Sequence, residues 1–80
     1  MSRSVQHPLM TIAQKTALNG HEIDTLTWSA RGMTSDQIAQ TLGLSKRNVD
    51  FHLDSARAKL GAATRIQAVA KAVKEKLIEP

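Results

Sequence analysis

Four stretches of the chain place apolar residues at helical intervals, and no stretch alternates apolar and polar residues as a half-buried strand does. In the first stretch, Ile23, Leu26 and Ala30 lie at positions i, i+3 and i+7. The third stretch carries the longest apolar stripe, which consists of Val49, Leu53, Ala56 and Leu60. The pattern predicts an all-α fold with four helices, at residues 19–31, 35–42, 46–60 and 64–77.

Residues that favour helix ends lie at the boundaries of these stretches. The candidate N-terminal caps are Asn19, Thr34, Ser45 and Thr64. In three of the four helices a Glu or Gln follows the cap by three residues, at positions 22, 37 and 67, which predicts reciprocal capping boxes. Glycines at positions 32, 43 and 61 are expected to end the first three helices.

The first 17 residues show no comparable pattern of caps and stripes. Pro8 disfavours helix at His7, and we interpret residues 1–17 as a linker or arm that precedes a domain at residues 18–80. No apolar run approaches the roughly 20 residues that span a bilayer, and the N-terminus lacks the features of a signal peptide. We therefore expect a soluble, cytoplasmic protein.

Composition limits the chemistry that these 80 residues can perform. Lys and Arg number 11 against 7 Asp and Glu, an excess that suits either a polyanionic partner or a solvated basic surface. Trp28 and Phe51 are the only aromatic residues besides histidine, which argues against nucleic-acid modules built on aromatic stacking. The chain has no cysteine, its three histidines lack metal-ligand spacing, and no catalytic constellation is present. We therefore expect no metal, no cofactor and no enzymatic activity.

The second and third predicted helices are separated by only three residues, Gly-Leu-Ser at positions 43–45. A short turn with a glycine lets two helices cross closely, as in a helix-turn-helix motif whose second helix enters the DNA major groove. Many helical hairpins share this turn without binding DNA, so spacing alone leaves both interpretations open.

A wider set of residues forms a more specific pattern. It consists of Glu22, the W-x-A-x-G of residues 28–32, the T-S-x-x-I-A of residues 34–39, Ser45, Val49, His52, and the Lys59–Leu60 pair. With these residues, positions 18–78 resemble the LuxR-type helix-turn-helix domain. The resemblance implies a four-helix domain that binds a pseudo-palindromic operator in double-stranded DNA as a homodimer and regulates transcription. Trp28 and residues 63–78 look most similar to the acyl-homoserine-lactone-responsive branch, which implies the effector part of a larger quorum-sensing regulator, with RNA polymerase as a further candidate partner.

The resemblance also assigns positions within the third helix. Asp50, Phe51 and Asp54 match the base-contacting positions of the family, and Asp can accept from cytosine N4 while Phe can meet a thymine methyl group. The candidate DNA-binding residues are Thr34, Ser45, Lys46, Arg47, Asn48, Asp50, Phe51, Asp54, Arg57 and Lys59. Among these, the cations at both ends of the helix are expected to contact phosphates, as are the N–H groups near the two caps. The alternative is that the two aspartates only solubilise the helix, with Asp54 paired to Arg57.

The fourth helix has two apolar faces, and one of them can pack on the core. We predict a weak homodimer contact through Ile66, Ala70, Val73 and Leu77. The alternative is that both faces are buried within the monomer. A second hypothesis about function also stays open, in which the acidic third helix has turned the same fold into a protein-interaction module without specific DNA binding.

Overall fold

The computed structural model describes residues 18–80, so the predicted arm at residues 1–17 lies outside the described part of the chain. Four α-helices follow one another: α1 (Gly20–Ala30), α2 (Ser35–Leu42), α3 (Lys46–Lys59) and α4 (Arg65–Lys74). These residues form no strand, which confirms the predicted all-α fold. None of these helices has the length and apolar character that crossing a bilayer requires.

The capping residues take the roles that the sequence predicts, with one exception in α4. In α1, the side chain of Asn19 accepts from the N–H of Glu22, while the Glu22 carboxylate accepts from the N–H of Asn19, both at 2.9 Å. Thr34 forms the same reciprocal box in α2, and the Ser45 hydroxyl caps α3. In α4, Thr64 caps as expected, but Gln67 accepts from the N–H of Ala63 and closes no box.

Helices α1, α2 and α3 end at the predicted glycines, each of which has a positive φ angle. Helix α4 ends at Lys74 rather than at residue 77, so the predicted boundary was wrong by three residues. Its terminating residue is Lys76, which adopts φ 60° without being a glycine. The N–H of Lys76 donates to the Val73 carbonyl at 3.0 Å and that of Leu77 to the Ala72 carbonyl at 2.8 Å, which is the Schellman arrangement.

The core is organised around α3, which packs against each of the other three helices. All four residues of its predicted stripe are buried. They meet Leu26 of α1, Ile38 of α2 and the small Ala68 and Ala72 of α4. Alanine side chains allow α4 to lie close to its neighbours, and burial of this apolar surface supplies the main favourable term in folding.

The other side of α4 stays in solvent, which contradicts the alternative that both of its faces are buried. Ile66 is 82% exposed, Val73 is 36% exposed, and Ala70 is exposed as well. Leu77 differs from these three because α4 ends before it, and its side chain packs against the core. The outward apolar stripe of α4 therefore consists of Ile66, Ala70 and Val73.

One buried charge joins α1 to α3. The Glu22 carboxylate is almost fully buried and accepts from the Ser55 hydroxyl at 2.6 Å and from the Lys59 ammonium at 2.9 Å. Burial raises the pKa of Glu22, but these hydrogen bonds and the one from the Asn19 N–H outweigh it and leave the pKa below its ordinary value. Glu22 is therefore an ionised and fully partnered structural residue, in addition to its role in the cap.

Candidate nucleic-acid interface

Helices α2 and α3 form a compact helix–turn–helix unit. Gly43 takes a left-handed conformation at φ 70°, and the N–H of Leu44 donates to the carbonyl of Ala39 at 2.9 Å. Ser45 then starts α3 with an extended backbone and accepts from the N–H of Asn48 at 3.1 Å. The buried Ile38 and Val49 lie on either side of the turn and fix α2 against α3. This geometry leaves the opposite side of α3 free.

The outer side of α3 carries the positions that the sequence singled out. Arg47 and Asn48 are exposed in its first turn, and Phe51 is 67% exposed one turn further on. The Arg47 side chain makes no hydrogen bond or ion pair with any residue from 18 to 80. This exposure leaves the Phe51 ring available for contact with a binding partner.

Asp50 is held by donors from three helices. The Ser35 hydroxyl at the start of α2 donates to Oδ1 at 2.7 Å, and Nη1 of Arg65 from α4 donates to the same oxygen at 3.0 Å. The Lys46 ammonium, one turn earlier in α3, donates to Oδ2 at 3.0 Å. The hydrogen bonds from Ser35 first, and then those from Lys46 and Arg65, lower the pKa of Asp50 to about 2.

Arg65 extends this network to Asp54. Its Nε donates to Oδ1 of Asp54 at 3.1 Å, and its Nη2 donates to the backbone carbonyl of Asp50 at 3.4 Å. The hydrogen bond from Arg65 lowers the pKa of Asp54, and the same bond raises the pKa of Arg65. One guanidinium thus bridges both aspartates of α3.

The predicted phosphate-contacting residues also have partners within the domain. Nη1 of Arg57 donates to the Ala62 carbonyl at 3.0 Å, and its Nε lies 4.0 Å from Oδ1 of Asp54. Lys59 binds Glu22, so a phosphate contact from Lys59 would compete with that buried pair. The hydroxyls of Thr34 and Ser45 accept from backbone N–H groups of their own helices. DNA contacts by these residues stay a prediction.

His52 lies beside this surface and packs against two other rings. Its centroid is 4.8 Å from that of His21 and 5.7 Å from that of Phe51, the latter in an edge-on arrangement. The buried Nδ1 of His52 has no hydrogen-bond partner among residues 18–80. The described part of the chain contains no group of three or more His, Cys, Asp or Glu side chains that could hold a metal ion.

The sequence did not predict that Arg65 would bind both aspartates of α3. The residue stands just after the Thr64 cap and looks, in sequence, like an ordinary polar residue of the first turn of α4. The available signal is the short connection at residues 60–64, which places the first turn of α4 beside the last turns of α3. An arginine side chain is long enough to reach Asp54 from there.

The chain is similar in sequence to known transcription regulators. The family model for bacterial regulatory proteins of the luxR family matches residues 16–72. The transcriptional activator protein AhyR of Aeromonas hydrophila is 39% identical over 64 residues, which cover 80% of this chain and 25% of AhyR. The transcriptional activator protein VanR of Vibrio anguillarum is 38% identical over 66 residues, 82% of this chain and 28% of VanR.

A third relative is described as a quorum-sensing-dependent regulator. This protein, RpaR of Rhodopseudomonas palustris, is 42% identical over 60 residues, which cover 75% of this chain and 25% of RpaR. The chain therefore spans about a quarter of the length of these relatives. No solved structure matches it.

Four capped helices, with a three-residue turn between α2 and α3, define a helix-turn-helix domain of the kind found in transcription regulators. The match over residues 16–72 and the three relatives confirm the resemblance seen in the sequence. The chain belongs to the luxR family of bacterial regulatory proteins, which are DNA-binding transcription regulators.

Proposed function

We propose that this domain binds double-stranded DNA sequence-specifically as a homodimer and thereby regulates transcription, with α3 in the major groove. The observation that carries the proposal is the division of α3 into a fully buried stripe and an exposed side with Arg47, Phe51 and Asp54. An α-helix fits the major groove when it projects from the domain in this way, held at its start by a preceding helix.

The two kinds of DNA contact fall to different parts of this surface. Phosphate contacts position a protein on the duplex, whereas contacts with base edges specify the sequence. Lys46 and Arg47 at the start of α3, together with Arg57 near its end, supply the positive charge for phosphates. Asn48, Phe51 and Asp54 lie exposed between them and are the candidates for base contacts.

The charge balance of this surface favours DNA over the alternative of a protein-interaction module. The acidic side chains of α3 were the feature that supported the alternative. Both aspartates, however, are paired with cations, namely Lys46, Arg57 and Arg65. With Arg47 added, four cations surround two carboxylates, so the surface remains positive and can approach a polyanion.

The outward stripe of α4 supports the proposed homodimer. Ile66 and Val73 are the large exposed apolar residues of this helix, and small Ala70 lies between them. Ile66 also lines an open groove of about 210 Å³ between α1 and α4, together with Ser29 and Val69. Two such stripes brought together on adjacent half-sites would remove this apolar surface from water.

The names of the relatives extend the proposal to the whole regulator. AhyR and VanR are transcriptional activators, and RpaR is a quorum-sensing-dependent regulator. We propose that this domain is the DNA-binding part of a cytoplasmic regulator of that kind, responsive to an acyl-homoserine lactone. RNA polymerase is the further partner that transcription activation would require.

Selection of duplexes from a random library at physiological salt tests the proposal. We expect an enriched pseudo-palindrome whose half-sites lie about one helical turn, roughly 34–36 Å, apart. The selection is repeated with the domain fused to a parallel coiled coil that enforces dimerisation. If both the domain and its fusion enrich only single half-sites, the proposed dimer is contradicted. If neither protein enriches any sequence, the proposed sequence-specific DNA binding is overturned.

A further inference from the structure

The two oxygens of the Asp54 carboxylate have different surroundings. Oδ1 accepts from Nε of Arg65 at 3.1 Å, and Nε of Arg57 lies 4.0 Å from it. Oδ2 accepts no hydrogen bond from any residue in the described range 18–80, and 57% of the side chain is exposed. One oxygen is thus held by the protein, and the other is available as an acceptor.

Asp50 differs from Asp54 because its carboxylate is occupied by the protein on both oxygens. Ser35 and Arg65 donate to Oδ1, and Lys46 donates to Oδ2. Only 28% of this side chain is exposed. A carboxylate with three protein donors has little capacity left for a base, so Asp50 is better suited to hold Arg65 than to contact DNA.

Arg65 connects the two carboxylates through a planar group. Its Nη1 and Nη2 are fixed by the side chain and the backbone carbonyl of Asp50, which leaves Nε directed at Asp54. A guanidinium can form such a fork, whereas the single ammonium of lysine cannot hold two acceptors in one plane. Hydrogen bonds of this supporting kind keep a contacting side chain in the productive orientation.

We propose that Arg65 is a positioning residue for base recognition, which holds Oδ1 of Asp54 so that Oδ2 is presented to the amino group of a cytosine. This inference rests on the proposed function, since it assigns base contacts to α3. It narrows that proposal by making Asp54 the acidic residue that specifies a base pair and Asp50 the anchor of Arg65. The Asp54 carboxylate accepts from cytosine N4 because that amino group is the donor of a G·C pair in the major groove.

The test compares base preferences of the wild-type domain with those of Arg65→Lys and Asp54→Ala, by selection from the operator randomised at one position at a time. We expect the wild type to prefer one orientation of a G·C pair by roughly fivefold or more at one position of each half-site. Asp54→Ala should lose this preference, and Arg65→Lys should reduce it to roughly twofold or less although the net charge is unchanged.

Two further variants separate positioning from other roles. Arg31→Lys is the matched control, because Arg31 lies over the Trp28 ring and pairs with neither Asp50 nor Asp54, and it should retain the wild-type preference. In the double variant with Asp54→Ala, Arg65→Lys should cause no additional change at any position. A change at a second position in the double variant would mean that Arg65 contacts a base itself, and the inference would be overturned.

Asp50→Asn gives a second route to the same result without altering Arg65 or Asp54. It weakens the hydrogen bond to Nη1 of Arg65 and should reduce the preference for the same G·C pair.

One result would overturn the inference and leave the proposed function standing. Arg65→Lys would show the helical circular dichroism of the wild type and would retain the full base preference. If Arg65→Lys fails to fold, an undiminished preference in Asp50→Asn would overturn it instead. Absence of any enriched duplex for the wild type would overturn both.

Discussion

Asp50 joins α2, α3 and α4 through a single carboxylate. Its partners Ser35, Lys46 and Arg65 are separated from it by between four and fifteen residues of sequence. All three donate to the charged form, so the pKa of Asp50 falls from 3.8 to about 2. Protonation of this one group in acid would weaken contacts between three helices at once, and this links the acid stability of the domain to the proposed DNA surface.

Asp50→Asn should make the domain less stable at neutral pH and less sensitive to acid. Because the folded-state pKa lies below the ordinary value, Asp50 contributes its stability above about pH 4 and loses it as the pH falls toward 2. The contribution is on the order of 1–2 kcal/mol for a side chain that is mostly shielded from solvent. Urea unfolding of both proteins between pH 2 and pH 7 measures the effect. The unfolding free energy of Asp50→Asn should rise less steeply with pH than that of the wild type.

The matched control for this experiment is Asp24→Asn. Asp24 is an exposed residue of α1 that makes no ion pair or hydrogen bond through its side chain within residues 18–80. Glu22 and Asp54 also have lowered pKa values, so Asp50→Asn should reduce the acid dependence without abolishing it. Identical pH profiles for the wild type and Asp50→Asn would contradict the assigned role.

At the scale of elements, the helical period of α3 separates residues that face the core from residues that face solvent. Val49, Leu53 and Ala56 face the core, and Arg47 and Phe51 face solvent. The first turn of α3 carries adjacent cations, of which Lys46 is paired with Asp50 while Arg47 is not paired within the described residues. Arg47 is therefore available for a phosphate without the loss of an internal contact.

Arg47→Ala should weaken binding to all duplexes alike and lower the slope of log affinity against log salt by about one unit. The reason is that one phosphate contact releases about one counterion, whatever the sequence. Equilibrium binding between about 50 and 200 mM salt measures the slope. Lys74→Ala removes the same charge at the C-terminal end of α4, away from the first turn of α3, and should leave the slope unchanged. A change of base preference in Arg47→Ala would show that Arg47 contacts a base instead.

The local features of the fold could be predicted from sequence, because each depends on residues a few positions apart. The Asn19 box, the Gly43 turn and the apolar stripe of α3 belong to this group, and the structure confirms them. The end of α4 was missed because no glycine marks it, and Lys76 adopts a conformation that lysine disfavours.

The long-range part of the candidate site could not be predicted. Arg65 lies 11 residues from Asp54 and 15 from Asp50, and Glu22 lies 37 residues from Lys59. Such pairs depend on how helices cross, which the hydrophobic period of each helix does not specify. The sequence thus predicted which side of α3 faces out, but not that the Asp50 carboxylate would be occupied by the protein itself.

At the scale of the whole molecule, the two proposed binding surfaces meet at the start of α4. Arg65 belongs to the proposed DNA surface through its contacts with α3, and the next residue, Ile66, begins the outward apolar stripe. The proposed dimer contact and the proposed base contact are therefore neighbours in the chain. They can still be separated by mutation, because the Ile66 side chain takes no part in the core.

Ile66→Glu should abolish cooperative binding to a two-half-site operator while a single half-site is still bound. A charge on each of two facing helices would repel the partner, and stability should change by less than about 0.5 kcal/mol because the side chain is exposed. Gel-shift titration on one and two half-sites measures both quantities. Gln67→Glu adds the same charge at a residue whose side-chain oxygen already accepts from Ala63, so it should bind cooperatively. Equal cooperativity in the two variants would contradict the α4 interface.

The left-handed conformation of Lys76 at the end of α4 offers a way to make the domain more stable before other residues are mutated. Lys76→Gly should raise the unfolding free energy by about 1 kcal/mol, since glycine adopts this conformation without the steric cost that lysine bears. The midpoint of thermal unfolding should then rise by about 4–8 °C for a domain of this size. An unchanged midpoint would mean that the chain around the buried Ile78 relaxes the strain by itself.

Such a background would help to distinguish lost affinity from lost folding. Variants of α3 such as Asp50→Asn lower stability and are expected to alter DNA binding at the same time. Lys76 lies just beyond the C-terminal end of α4, whereas Arg65 is at its start. Lys76 is therefore not part of the proposed DNA surface. Introduced together with Lys76→Gly, those variants would stay folded over a wider range of temperature and pH, and their binding could be compared at equal occupancy of the native state.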